Sequence, residues 1–149
     1  MKSHLAMGAA LLLGVTIGAV SVGGLKAQGR ASGMLIHNVY VDSSGESHFR
    51  GINVQWAEDR PSGKTSKQFP ATGIIFRETS GAYDLDWHPA PRRQYVINLD
   101  AGMEITTSDG EKRVIGAGEV ILVEDTTGKG HLSKAVSGAV RHSIFVPID

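Results

Sequence analysis

Between Gly73 and the C-terminus the chain never runs free of turn signals for long enough to build an amphipathic helix. Short apolar or alternating runs follow one another instead, at Gly73–Glu78, Gln94–Leu99, Gly102–Thr107, Lys112–Ile115, Val120–Val123, His131–Val136 and Ser143–Val146. Ser108-Asp109-Gly110, Gly116-Ala117-Gly118, Thr126–Gly130 and Ser137-Gly138 punctuate the later ones. Many short strands at close intervals predict an all-β domain, an antiparallel sandwich or barrel whose rolled sheets hide their edges. Upstream, Ile36–Val41 and His48–Ala57 read as two more strands about the turn Asp42-Ser43-Ser44-Gly45, and Glu58–Lys67 reads as a polar loop.

The first segment is an address. After Lys2 no charged residue occurs from Leu5 to Leu25, and Lys26 and Ala27 close the run. This is a secretory signal pattern over residues 1–27 with cleavage near Ala27, and its length also admits a retained anchor over 5–25. Either way Lys2 keeps the N-terminus inside, so the rest of the chain is expected outside the cytoplasm, periplasmic or secreted. Residues 28–72 then form N-terminal strands and a polar loop, and 73–149 the core of the barrel.

Composition removes several functions. Fifteen Lys and Arg balance fifteen Asp and Glu, so no electrostatic reason exists to expect nucleic acid as a partner, or membrane contact beyond the N-terminal segment. With no Cys, disulfides, thiolate ligands and a cysteine nucleophile are excluded. A metal site must use imidazole, carboxylate or amide oxygen. In an extended chain Asp86, His88, Ala90, Arg92, Gln94, Val96 and Asn98 share one face, although Pro89 and Pro91 interrupt it, and Tyr95, Ile97 and Leu99 share the other. The polar face suits a cavity wall. The apolar face suits packing against a covering layer or a second subunit, so a homodimer is compatible with it.

Two stretches carry a more specific signal: Asp86-Trp87-His88-Pro89-Ala90-Pro91-Arg92-Arg93-Gln94-Tyr95-Val96-Ile97, and Gly116-Ala117-Gly118-Glu119-Val120 through Glu124-Asp125-Thr126-Thr127-Gly128-Lys129-Gly130-His131. Together they resemble the two signature segments of the cupin superfamily, over roughly Gly73 to Val146, and in particular a group of small single-domain cupins. The resemblance implies a jelly-roll barrel, or double-stranded β-helix, with a ligand cavity at one mouth. Typical members hold a divalent metal there through two His and one Glu of the first segment and one His of the second. Laid on this chain, the pattern puts His88 at the first His, Ala90 at the second, Gln94 at the Glu, Ala101 at a Gly and His131 at the last His. A register shifted by one makes Asp86 and His88 the pair. In the second segment Ala117 stands where Pro is usual.

The resemblance thus implies a metal site of His88, Gln94 and His131, with Asp86 as a further donor, for Zn, Ni, Fe, Mn or Cu. Because the usual ligand set is incomplete, that metal is expected to be weakly bound or absent. Arg92 and Arg93 would stand at the rim, where a guanidinium fork suits a carboxylate or phosphate ligand, with Gln94 as the third ligand contact. Plainer readings stand beside each. His131 can simply open a strand, His88 can be a turn histidine, Gln94 a satisfied strand residue and the arginines a solvated pair. Glu124 and Asp125 read as a polar turn, Trp56, Trp87 and Tyr95 as core or contact aromatics, and His48 as the outside candidate for the cavity. Three functions follow: a binding module for a small polar molecule, a metal-dependent enzyme of the dioxygenase or isomerase kind, or a structural oligomer with a filled barrel.

Overall fold

The computed structural model describes residues 33–148; the leader expected over 1–27, with its anchor alternative over 5–25, lies outside them. Eleven strands occur among the described residues: β1 (Gly33–Val41), β2 (Ser47–Arg60), β3 (Gly63–Ser66), β4 (Ile75–Thr79), β5 (Asp84–His88), β6 (Gln94–Asn98), β7 (Met103–Thr107), β8 (Lys112–Ile115), β9 (Val120–Val123), β10 (His131–Ala135) and β11 (Arg141–Pro147). No helix is found there. The strands form a seven-stranded sheet in the order β3-β2-β1-β9-β6-β11-β4 and a four-stranded sheet in the order β5-β10-β7-β8. Pairing is antiparallel except between β1 and β9, which run parallel with His37 beside Ile121. Strands so distant in sequence need no hairpin, which is why one parallel pair enters an otherwise antiparallel fold.

From Gln94 onward the strands stand within two residues of the positions set by alternation. Two elements differ from expectation. The polar loop expected over Glu58–Lys67 is instead a hairpin of β2 and β3, turned at Pro61 and Ser62, with Asp59 opposite Lys64 at 3.0 Å. Both of its faces are polar, so it leaves no alternation to read, and its exposed ion pairs add little stability. The other is β5, whose first four residues are all exposed and which ends against Pro89 and pairs only with β10. An edge strand without a buried face gives no hydrophobic period.

The core lies between the sheets. Val96, Ile121 and Val123 of the larger sheet pack with Met103, Ile105 and Ile115 of the smaller, and Ala90 of the β5–β6 link joins them. Alternation in β6 sends Gln94, Val96 and Asn98 inward and leaves Tyr95 and Ile97 half-buried on the outer face. A polar corner joins the layers. Ser47 and Ser108 each donate their backbone N–H to the other's hydroxyl at 2.7 Å, and the Ser47 hydroxyl donates to the Gly130 carbonyl at 2.6 Å. His48 sits between Asp42 at 2.9 Å and Asp109 at 2.7 Å, so the residue expected as an outside candidate for the cavity has both ring nitrogens engaged elsewhere.

Hydrogen bonds from Asp42 and then Asp109 raise the pKa of His48 above its ordinary 6.5, while the Ser44 hydroxyl and then His48 hold Asp42 well below the carboxylate range. The imidazolium form of the corner is therefore stabilising at low pH and loses that contribution as pH rises through the folded-state pKa of His48. Asp42 contributes above its ordinary 3.8 and loses its share only as pH falls through its depressed value. An NMR titration should place the His48 midpoint above 6.5, and Asp42→Asn should lower it; a midpoint at or below the ordinary value in the native chain contradicts the clamp. For the core, Ile105→Ala should cost about 2–5 kcal/mol in urea unfolding. A loss within 0.5 kcal/mol, which is roughly what exposed substitutions show, would place Ile105 outside the cooperative core.

Candidate functional site

Strand β10 lies between β5 and β7, so its first residue, His131, faces Thr107 on one side and His88 on the other. The register with β5 shifts between His131 and Ser133, an irregularity that re-aims side chains at a strand start. The close approach depends on Gly130. Its φ is +70°, and a Cβ there would run into the carbonyl of His88, so only glycine fits. The imidazoles of His88 and His131 consequently meet, with ring centroids 4.5 Å apart and planes tilted by 56°.

Each ring has its tautomer set by its surroundings. His88 Nδ1 lies 2.7 Å from the Asp86 carbonyl, and because a carbonyl only accepts, Nδ1 carries the proton. His131 Nδ1 lies 2.6 Å from Oδ2 of Asp125, whose side chain is wholly buried. Its Oδ1 has no hydrogen-bond partner. In the neutral rings the lone pairs then sit at Nε2, and neither Nε2 makes a hydrogen bond among the described residues. Anchoring one nitrogen to a carbonyl or carboxylate is how proteins orient an imidazole to ligate or to move a proton with the other.

Both rings open on a cavity of about 70 Å³ between the sheets. Gln94, Tyr83, Ser133 and Arg141 supply its other polar walls; Val96, Ile105 and Phe145 are among its apolar ones. Gln94 is buried and its amide has no hydrogen bond among the described residues, whereas Tyr83 Oη and Ser133 Oγ share one at 2.8 Å. Larger hollows of about 290 and 360 Å³ lie around Phe69 on the outer face of the seven-stranded sheet. Neither contains a histidine or an acid. A third hollow of about 390 Å³ beside Phe69 holds Glu124, already paired with Arg93, and one of about 130 Å³ holds Asp84 and Glu104. None of these has a histidine, and chemistry rather than size selects the smaller cavity.

Three of the residues singled out in the sequence come together here: His88, Gln94 and His131. Asp86 does not line the cavity; it is exposed, its Oδ1 accepts from the Trp87 N–H, and it serves His88 through its main chain. Arg92 and Arg93 do not line it either. Arg93 pairs with Glu124 at 2.6 Å and Arg92 is exposed. Among the described residues no group of three His, Asp or Glu side chains is placed to hold a metal ion. Sequence reasoning missed Asp125 and Arg141. For Asp125 the available signal was its place at the start of the glycine-bearing loop that returns to His131; for Arg141, its two-residue spacing from the inward-facing Ser143.

No protein-family model matches the chain, and no curated protein matches it. Among solved structures it is similar to protein NMB1881 of Neisseria meningitidis, at 17% identity and a TM-score of 0.42 over 52% of this chain and 76% of that one. It is similar also to the conserved protein SPY1581 of Streptococcus pyogenes, at 23% identity and a TM-score of 0.41 over 58% and 72%. A third is the protein described as ethanolamine utilization protein Q of Salmonella typhimurium, at 12% identity and a TM-score of 0.35 over 78% and 98%. Likenesses this distant carry no conclusion about this chain's activity.

The hydrogen-bonding pattern predicts that long-range proton–nitrogen spectra will show the Nδ1–H tautomer for both His88 and His131 when neutral. Asp125→Ala removes the acceptor, should release His131 to the Nε2–H form, and should cost about 1–3 kcal/mol of stability. A His131 spectrum indifferent to that substitution contradicts the assigned pair.

Proposed function

We propose that this chain is an exported small barrel of the cupin, jelly-roll type that binds a small polar molecule between its sheets, with a divalent cation on His88 and His131. The observation that carries the reading is the meeting of two imidazoles, each with Nδ1 anchored, in one cavity. The charge-free run from Leu5 to Leu25 supports export. The half-buried Tyr95 and Ile97 on the outer sheet face support a homodimer as the working assembly.

The donor set fits a cation of modest affinity. Nε2 of His88, Nε2 of His131 and the Gln94 amide oxygen would hold it, all three neutral, so the site lacks the charge that makes an anionic set tight. When bound, such an ion supplies Lewis acidity or a place for oxygen. The chain's own part is to keep both rings in the ligating tautomer and to hold apolar walls about the guest. A metal-dependent enzyme of the dioxygenase or isomerase kind is the second reading, favoured by the buried Asp125–His131 pair, since a carboxylate-oriented imidazole also serves acid–base work. Gln94 and the Nε2 atoms of both imidazoles line an open cavity without a hydrogen-bond partner among the described residues, which argues against a purely structural barrel.

Titrating Zn²⁺, Ni²⁺ or Co²⁺ into the full chain purified without added metal tests the reading. One equivalent should bind and raise the melting temperature, by the equivalent of about 2.7 kcal/mol at a hundredfold excess over Kd. His88→Ala and His131→Ala should each abolish the effect. If the native chain shows no saturable metal binding, the cation is removed from the proposal; binding that survives both substitutions moves it elsewhere.

A further inference from the structure

Arg141 opens β11 opposite Thr79 of β4, and only 3% of its surface is exposed. Its Nε and Nη1 are buried without a hydrogen-bond partner, and so is the hydroxyl of Thr79 across the ladder. No carboxylate pairs with the guanidinium among the described residues. Burial depresses the pKa of Arg141, Tyr83 offsets this in part, and the charge of Arg77 adds to the depression. An unpaired buried cation is costly to keep, and replacing one by an apolar side chain often stabilises a protein. Arg141 nevertheless forms part of the cavity wall that holds Gln94 and the two imidazoles.

We propose that Arg141 is the anion anchor of this cavity and that the ligand is a small carboxylate, only a few carbon atoms long. The proposal rests on reading the cavity as a ligand site and does not depend on a cation being there. A guanidinium presents parallel N–H groups that match the two oxygens of a carboxylate, and in a dry site such a pair is strong. The cavity, at about 70 Å³, takes only a small guest, and Val96, Ile105 and Phe145 suit the carbon stem. Gln94 and the free Nε2 atoms suit an oxygen substituent at the other end. A phosphate dianion fits less well, because the cavity offers it one cation, and the two neutral imidazoles turn lone pairs, not N–H donors, toward its oxygens.

The test uses the full chain with propionate and lactate as probes, propionamide as the uncharged control and inorganic phosphate as the alternative anion. The Arg141 Nε–H resonance should shift with saturation on adding either acid and stay fixed with propionamide. Arg141→Gln and Arg141→Met should weaken the acids by about tenfold to a hundredfold, while Arg141→Met melts no lower than the native chain. Metal uptake by His88 and His131 should persist in both variants, and a native chain that takes up no metal but binds the acids through Arg141 tells against the cation and not against the anchor. The proposal is overturned if no acid moves the Arg141 resonance, if Arg141→Gln binds the acids as tightly as the native chain, or if phosphate binds through Arg141 and the acids do not. Arg141→Met melting well below the native chain would overturn it as well, since that marks the guanidinium as structural support.

Discussion

The placement of His131 directly across from His88 is the constraint on which the site depends. It follows from backbone pairing: β10 bonds to β5 and β7 at once, and Gly130, having no side chain, passes against the carbonyl of His88 and brings the next residue, His131, opposite His88. Ser47 holds the same glycine from the larger sheet. The Ala90 N–H donates to the Asp125 carbonyl at 3.0 Å, tying the proline-rich link after β5 to the loop before β10. The two histidines are therefore positioned by hydrogen bonds made to the main chain on three sides, and a cavity-lining pair built this way holds its geometry without a ligand.

A second theme is the contrast between satisfied and unsatisfied polar burial. Asn38 donates to the Leu122 carbonyl at 2.9 Å, and Asn98 to the Ile115 carbonyl at 2.8 Å. Such groups specify the sheet register and leave nothing over. Asp125 and Arg141 differ: each is fully or almost fully buried, and each keeps polar atoms with no partner. One holds His131 and the other walls the cavity. Strain of this kind concentrates where a protein must meet something else, and a barrel optimised only for stability would have paired or removed both groups.

The sequence was most legible where burial is one-sided. In β6 the alternation of Gln94, Val96 and Asn98 with Tyr95 and Ile97 is the alternation of cavity wall and outer face. It was silent where burial is absent or two-sided polar, as in β5 and the β2–β3 hairpin, and where pairing joins strands remote in sequence, as β1 with β9. Of the site, His88, Gln94 and His131 were visible through a motif resemblance. Asp125 was not, because a carboxylate in a Thr- and Gly-rich turn looks solvated until the loop is seen to fold its side chain inward. Arg141 was hidden by the ordinary rule that arginine faces water, and only its parity with Ser143 pointed the other way.

A crystal structure of the full chain grown with a divalent ion and a short carboxylic acid tests the whole account in one experiment. The account predicts a single cavity holding both guests, the ion on Nε2 of the two facing imidazoles and the acid's oxygens on the Arg141 fork. Rings that point to opposite sides of the barrel wall, or an Arg141 already paired with an acidic side chain of the protein, would contradict it.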